Sequence, residues 1–239
     1  MKLEHSHDAA AITKRLAEEN KPNYVRDWVY GGIDGAVTTF AIVAGVVGAQ
    51  LSAGIILILG LANLLADGFS MAASNYSGTK TEIDDRARLR EVEKKHIAHA
   101  PEGEREELRQ ILQGKGLSGT ALEEAVAAIT ADHDVWIDTM LTEEYGLAST
   151  LRSPWRSGLA TFLAFCICGA VPLVPFLLPF GAPFLWASAL TGVVFFAIGA
   201  VKARWSLAPW WHSGLETLII GMLAASAAYV VGYLLRGLA

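Results

Sequence analysis

Five long apolar runs dominate this chain of 239 residues. Each run is close to the roughly 20 residues that an α-helix needs to cross the hydrocarbon core of a bilayer. A helix satisfies its backbone hydrogen bonds within itself, so each run is predicted to be a membrane-spanning helix. The runs cover residues 28–50, 51–75, 158–180, 183–201 and 213–235.

Charged residues are concentrated between the second and third runs. Residues 76–157 contain sixteen Asp and Glu against eleven Lys and Arg, and no spanning run. Apolar residues recur there with helical spacing, and breaks fall at Pro101 and at 114–119. The sequence therefore predicts an all-α, multi-pass membrane protein with a water-exposed insert of three or four helices. The first of these helices continues the second membrane helix.

The predicted organisation has four parts. Residues 1–25 form an N-terminal segment, 26–75 form transmembrane helices 1 and 2, 76–157 form the insert, and 158–239 form transmembrane helices 3 to 5. Lys and Arg near membrane helices favour the cytoplasmic side. They occur before the first run, on both flanks of the insert and between the last two runs. This predicts a cytoplasmic N-terminus and insert, and we favour the cell membrane over an internal storage compartment.

The spanning runs contain three acids, Asp34, Asp67 and Glu216, and no base. An ionised carboxylate at mid-membrane costs about 2.5–3.5 kcal/mol on insertion scales, so it persists where it faces a partner, water or a cation. Asn63, Asp67 and Met71 are spaced four residues apart and therefore share one helix face. With Asp34, they are predicted to line a path for cations.

The insert carries three pairs of possible metal ligands at helical spacing: Glu93 with His96, Glu104 with Glu107, and Met140 with Glu144. Two residues three or four apart lie on one face of a helix. Carboxylate and imidazole ligands suit ferrous iron, manganese and zinc. Solvated helices also carry acids at this spacing, so a plain surface remains the alternative for each pair.

Four motifs in a fixed order resemble the vacuolar iron transporter family. They are Asp27-Trp-Val-Tyr-Gly-Gly-Ile-Asp34-Gly, Gly60-Leu-Ala-Asn-Leu-Leu-Ala-Asp67-Gly-Phe-Ser-Met71, Pro101-Glu-Gly-Glu-Arg-Glu-Glu107 and Trp136-Ile-Asp-Thr-Met140-Leu-Thr-Glu-Glu144-Tyr-Gly-Leu. The likeness extends from about Arg26 to Arg236. It implies a homodimer of five-helix subunits that is not an enzyme. It also implies export of ferrous iron, and often manganese, from the cytosol in exchange for protons.

The resemblance implies a role for each matching position. Asp34 and Met71 correspond to residues of the translocation site, and the three ligand pairs of the insert fall where the family collects metal. Many members have a glutamate at the position of Asn63, whereas this chain has a carboxylate one turn later, at Asp67. We expect Asp67 to replace that glutamate, because the two positions share a helix face.

Two further departures bear on which metal is preferred. His96 stands where a glutamate is common, and Leu141 where a second methionine is common. An imidazole gained and a thioether lost change the softness of the ligand set. Fe2+ is therefore the expected ion, with Mn2+ or Zn2+ as further candidates.

Other functions remain open at this point. A membrane-anchored, ferritin-like iron-binding oxidase would also use Glu-x-x-His on helices, and a metal sensor would need only the insert. Oxidation would not explain the acids within the spanning runs, whereas the sensor stays open. The expected partners are divalent metal ions, protons, the lipid bilayer and a second copy of the chain, and not nucleic acid.

Overall fold

The computed structural model describes residues 6–17, 22–148, 150–178 and 181–238. Within these ranges every regular element is a helix. Five of them are long and apolar enough to cross a membrane: Val25–Gly48, Ala53–His99, Pro154–Leu177, Pro183–Trp205 and Trp210–Leu235. The prediction of an all-α chain with five helices long and apolar enough to span a membrane is confirmed for the described residues. The side of the membrane on which the insert lies stays a prediction.

The described helices are numbered in chain order. They are α1 (Ala9–Ala17), α2 (Val25–Gly48), α3 (Ala53–His99), α4 (Pro101–Gly114), α5 (Gly119–Thr130), α6 (His133–Glu143), α7 (Pro154–Ala170), α8 (Val174–Leu177), α9 (Pro183–Lys202) and α10 (Trp210–Leu235). Short 3-10 turns cover Val171–Leu173, Ala203–Trp205 and Arg236–Leu238.

Two of the apolar runs differ from simple spanning helices. Helix α3 has 47 residues and continues well past the apolar run, as the sequence predicted. The third run is interrupted instead, because α7 ends at Ala170 and a 3-10 turn precedes α8. Pro172 and Pro175 lie at this interruption. Proline lacks a backbone N–H and clashes with the preceding turn, which accounts for the break.

The chain divides into two compact units. The insert unit comprises Thr81–Arg152 with the described part of Met1–Asn23, and the membrane unit comprises the described parts of Tyr24–Lys80 and Ser153–Ala239. These boundaries lie a few residues inside the predicted insert limits of 76 and 157.

Helix α2 lies at the centre of the membrane unit and packs against α7, α9 and α10. Two glycines allow a close approach to α7. A Cβ on Gly31 would lie 2.3 Å from the Thr161 carbonyl oxygen, and one on Gly35 would lie 2.3 Å from that of Phe165. Small residues at helix contacts let backbones approach in this way. The glycines on either side of Asp34 therefore set how closely α2 meets α7.

The insert unit is built around an apolar core. Asp132 caps the N-terminus of α6, since its Oδ1 accepts hydrogen bonds from the backbone N–H of Asp134 at 2.9 Å and of Val135 at 3.2 Å. Helix α6 then directs its apolar face into the core. The buried core residues are Leu89, Ile97, Leu108, Leu112, Leu122, Val126, Trp136, Ile137, Met140 and Leu141.

Candidate metal sites

Three predicted ligands of the insert come together. Glu93 and His96 lie on α3 and Glu104 lies on α4, and one ligand atom from each lies within 4.8 Å of the others. His96 Nδ1 is 3.3 Å from Glu104 Oε1 and 3.8 Å from Glu93 Oε1. The chain reverses at Ala100, because α4 begins with Pro101. This reversal sets Glu104 beside a pair that helical spacing had already aligned.

The burial of the three side chains is uneven. Glu93 is fully buried and Glu104 is 5% exposed, whereas His96 is exposed. Among the described residues, neither Glu93 Oε2 nor Glu104 Oε2 has a hydrogen-bond partner. A buried polar oxygen without a partner is costly. Two such oxygens beside an accessible imidazole nitrogen form a ligand set that suits a divalent transition metal.

The acids of this cluster act on one another electrostatically. Burial, and then the neighbouring charge of Glu93, raises the pKa of Glu104 to about 7. Burial and the charges of Glu93 and Glu107 also raise the pKa of Glu144. Like charges held together in this way disfavour ionisation. A bound dication would relieve this repulsion.

The other three predicted ligands lie outside this group. Glu107 and Glu144 are exposed, and their charges act on Glu104 without their carboxylates joining the group of mutually close ligand atoms. Met140 is fully buried in the apolar core of the insert unit. The structure thus assembles Glu93, His96 and Glu104 and leaves the remaining three ligands as predictions.

One residue of the cluster was missed in the sequence. The Tyr145 hydroxyl donates a hydrogen bond of 2.9 Å to Glu93 Oε1. Burial, and then this hydrogen bond, raises the pKa of Tyr145, so the hydroxyl stays protonated. Its position directly after Glu144 in the fourth motif was the available signal.

In the membrane unit, Asp34 of α2 and Asp67 of α3 are both half-buried, and their charges are close enough to repel each other. Within the described residues neither has an ion-pair partner. The third acid differs, since Glu216 Oε2 lies 3.6 Å from Lys202 Nζ. Two acids close to each other on neighbouring helices, with no ion-paired base among the described residues, are an arrangement that attracts cations.

Polar contacts on both sides of the aspartates align α2 with α3. The Asn63 amide donates to Thr38 Oγ1 at 3.1 Å, and the Asn75 amide donates to Asp27 Oδ1 at 2.9 Å. The contacts advance in opposite directions along the two helices, so the helices are antiparallel. Met71, between Asp67 and Asn75, packs against the apolar core of the membrane unit. Asp27 and Asn75 were not among the predicted site residues, although Asn75 continues the four-residue series.

Comparison with known proteins gives a consistent result. The family model described as the VIT family matches residues 25–233. The chain is 34% identical to a vacuolar iron transporter of Toxoplasma gondii, over 97% of this chain and 82% of the relative. It is 32% identical to vacuolar iron transporter 1 of Tulipa gesneriana, over 87% of this chain and 85% of the relative. For vacuolar iron transporter 1 of Eucalyptus grandis the identity is 30%, over 90% of each chain.

Proposed function

The chain belongs to the VIT family, and on that premise we propose that it exports ferrous iron from the cytosol in exchange for protons. The names of its relatives support iron as the cargo. Manganese and zinc remain further candidate ions. The observation that carries the proposal is the proximity of two carboxylates, Asp34 on α2 and Asp67 on α3, neither of which has an ion-pair partner among the described residues.

These two carboxylates form the intramembrane binding site. Each ion sheds water as it enters the apolar bundle, and oxygen ligands must replace that water. Asp34 and Asp67 supply the charge, Asn63 supplies a neutral oxygen, and Met71 supplies a thioether that suits a transition metal. The side-chain N–H of Asn63 donates a hydrogen bond to Thr38 Oγ1, which leaves the side-chain carbonyl oxygen of Asn63 available.

Proton exchange follows from the chemistry of the same groups. Carboxylates bind metal in their deprotonated form, so metal uptake releases protons and protonation releases metal. The charges of Asp34 and Asp67 lie close enough to act on each other, and a cation bound between them would offset that repulsion. When the site is exposed alternately to the two sides of the membrane, a metal ion moves out of the cytosol and protons move in.

The insert collects metal before transport. Glu93, His96 and Glu104 provide a site with two buried carboxylates and one accessible nitrogen. Glu107, Met140 and Glu144 extend this site when an ion binds. A cytoplasmic insert with this excess of acids raises the local supply of cations. In this arrangement the chain is a homodimer, and the cell membrane is the favoured location over an internal storage compartment.

Metal flux into sealed vesicles tests the proposal. Purified protein in proteoliposomes should carry Fe2+ under anaerobic conditions, and an imposed pH gradient, acidic on the side that receives the metal, should accelerate the flux. Vesicles with Asp34→Asn are the matched control. If the rate of Fe2+ flux is the same with and without the pH gradient, transport is not coupled to proton exchange. In a separate aerobic assay, iron-dependent oxygen consumption by a protein that carries no flux would instead identify a membrane-anchored oxidase.

A further inference from the structure

Tyr145 lies where the chain turns back after α6. The helix ends at Glu143, Gly146 has a φ of +66°, and the Leu147 N–H donates to the Leu141 carbonyl oxygen at 3.0 Å. Glycine adopts a positive φ at little cost, whereas a Cβ is disfavoured there. The turn places the Tyr145 ring against the apolar core of the insert unit. The ring position is therefore set by the backbone and by packing.

The hydroxyl at the end of this ring holds one oxygen of Glu93. It donates to Glu93 Oε1 at 2.9 Å, while Glu93 Oε2 is buried and has no hydrogen-bond partner in the part of the chain that the structure describes. A carboxylate with one oxygen held and one oxygen available cannot rotate without losing its hydrogen bond. Because Tyr145 comes from the segment after α6, the contact also joins that segment to α3.

The orientation of Glu93 decides whether three ligand atoms can meet. His96 Nδ1 lies 3.8 Å from Glu93 Oε1 and 3.3 Å from Glu104 Oε1. Groups that hydrogen-bond to a metal ligand fix its direction, and their loss typically lowers metal affinity about 10- to 100-fold. We infer that Tyr145 is a positioning residue of this site: its hydroxyl holds the Glu93 carboxylate in the direction that a metal ion shared with His96 and Glu104 requires.

The inference rests on the proposed metal site of the insert, and Tyr145→Phe tests it. This change keeps the ring and removes only the hydroxyl. Binding of Co2+ to the full chain in detergent would be followed by calorimetry and by visible absorption, which reports the coordination of cobalt. The parent protein for these measurements would carry Asp34→Asn and Asp67→Asn, which removes the proposed intramembrane site from the measurement.

We expect Tyr145→Phe to lower Co2+ affinity about 10- to 100-fold and to alter the absorption spectrum of the bound ion. The matched control is Thr142→Val, which removes a hydroxyl that bonds to the Asp138 carbonyl on the same helix. This control should bind Co2+ as the parent does. The metal-free Tyr145→Phe protein should unfold at the temperature of the parent, and a large drop would assign Tyr145 a structural role and overturn the inference.

A double-mutant cycle of Tyr145 and Glu93 distinguishes two roles of Tyr145. In one, Tyr145 affects metal binding by positioning Glu93; in the other, it affects metal binding independently of Glu93. If Tyr145 acts through Glu93, Tyr145→Phe should cause no further loss in a Glu93→Gln background. Equal losses in both backgrounds would overturn the inference. Parent-like binding by Tyr145→Phe, with weakened binding by Glu93→Gln, would overturn it while leaving the insert site intact. Parent-like binding by Glu93→Gln would instead remove the insert site itself from the proposed function.

Discussion

Asn75 of α3 donates a hydrogen bond of 2.9 Å to the carboxylate of Asp27 on α2. The same amide lies 2.7 Å from Thr161 Oγ1 and 3.3 Å from the Ser157 carbonyl oxygen, both on α7. Asp27 is 1% exposed, so the contact is enclosed where three helices meet. Asn75 thus fixes the register in which α2 and α3 bring Asp34 to Asp67.

Asn75→Leu should destabilise the membrane unit. The leucine cannot donate to Asp27 or Thr161, and removing the donor of a buried acceptor costs about 1–3 kcal/mol. The unfolding temperature of the protein in detergent should fall, and iron flux should fall with it. Ser70→Leu is the matched control, because Ser70 is an exposed polar residue of the same helix. A variant as stable as Ser70→Leu would contradict the role given to Asn75.

Gly35→Ala should disrupt the contact between α2 and α7. The new Cβ would lie 2.3 Å from the Phe165 carbonyl oxygen, and backbone cannot move aside as a side chain can. We expect a loss of about 1–3 kcal/mol or more from this overpacking. Gly78→Ala is the control, because a Cβ at that helical position would meet no described atom within 4 Å outside the neighbouring turns of its own helix. It should stabilise the protein by about 0.5–1 kcal/mol. The unfolding temperatures of the two variants would be compared. Equal changes in unfolding temperature would be inconsistent with close packing of α2 on α7.

Asp34→Asn and the double change Glu104→Ala with Glu107→Ala should affect flux differently. Asp34→Asn should abolish Fe2+ flux at every concentration, because each ion must be desolvated at the membrane site. The double change should raise the half-saturating Fe2+ concentration and spare the maximal rate, because the insert only supplies ions. The two would be compared in the same vesicles across a range of Fe2+. Complete loss of maximal rate in the insert variant would make the insert part of the obligatory path.

Moving the membrane carboxylate back one turn should rescue an inactive protein. Asp67→Asn alone should be nearly inactive, and adding Asn63→Glu should restore part of the flux, since both positions share one face of α3. The Thr39 hydroxyl lies 3.4 Å from Asn63 Nδ2 and can rotate to donate to the new carboxylate. Absence of recovery in a folded double variant would argue against the shared face.

The stability of the metal-free insert should fall as pH rises. The pKa of Glu104 is raised from 4.5 to about 7, so its neutral form is favoured in the folded state. The stabilisation is fully present below pH 4.5 and is lost as pH rises through about 7. Glu104→Gln should flatten this part of the pH profile. Unfolding temperatures between pH 4 and 8, with chelator present, make the measurement. Added metal should restore the lost stability at high pH, because the ion binds the deprotonated carboxylate.

The sequence by itself determined the elements of this protein. Uninterrupted apolar length required five spanning helices, because the bilayer leaves no other partner for the backbone. Helical spacing placed Glu93 beside His96 and aligned Asn63 with Asp67, since residues three or four apart share a face. The motifs indicated the family to which the chain belongs.

Only the tertiary structure decided which distant residues meet. Glu104 joins Glu93 because the chain reverses at Ala100, and Asp34 opposes Asp67 because α2 and α3 align through side chains far apart in sequence. Tyr145 reaches Glu93 across 52 positions. Periodicity describes one helix at a time, whereas these contacts depend on how helices pack, so no local pattern could have specified them.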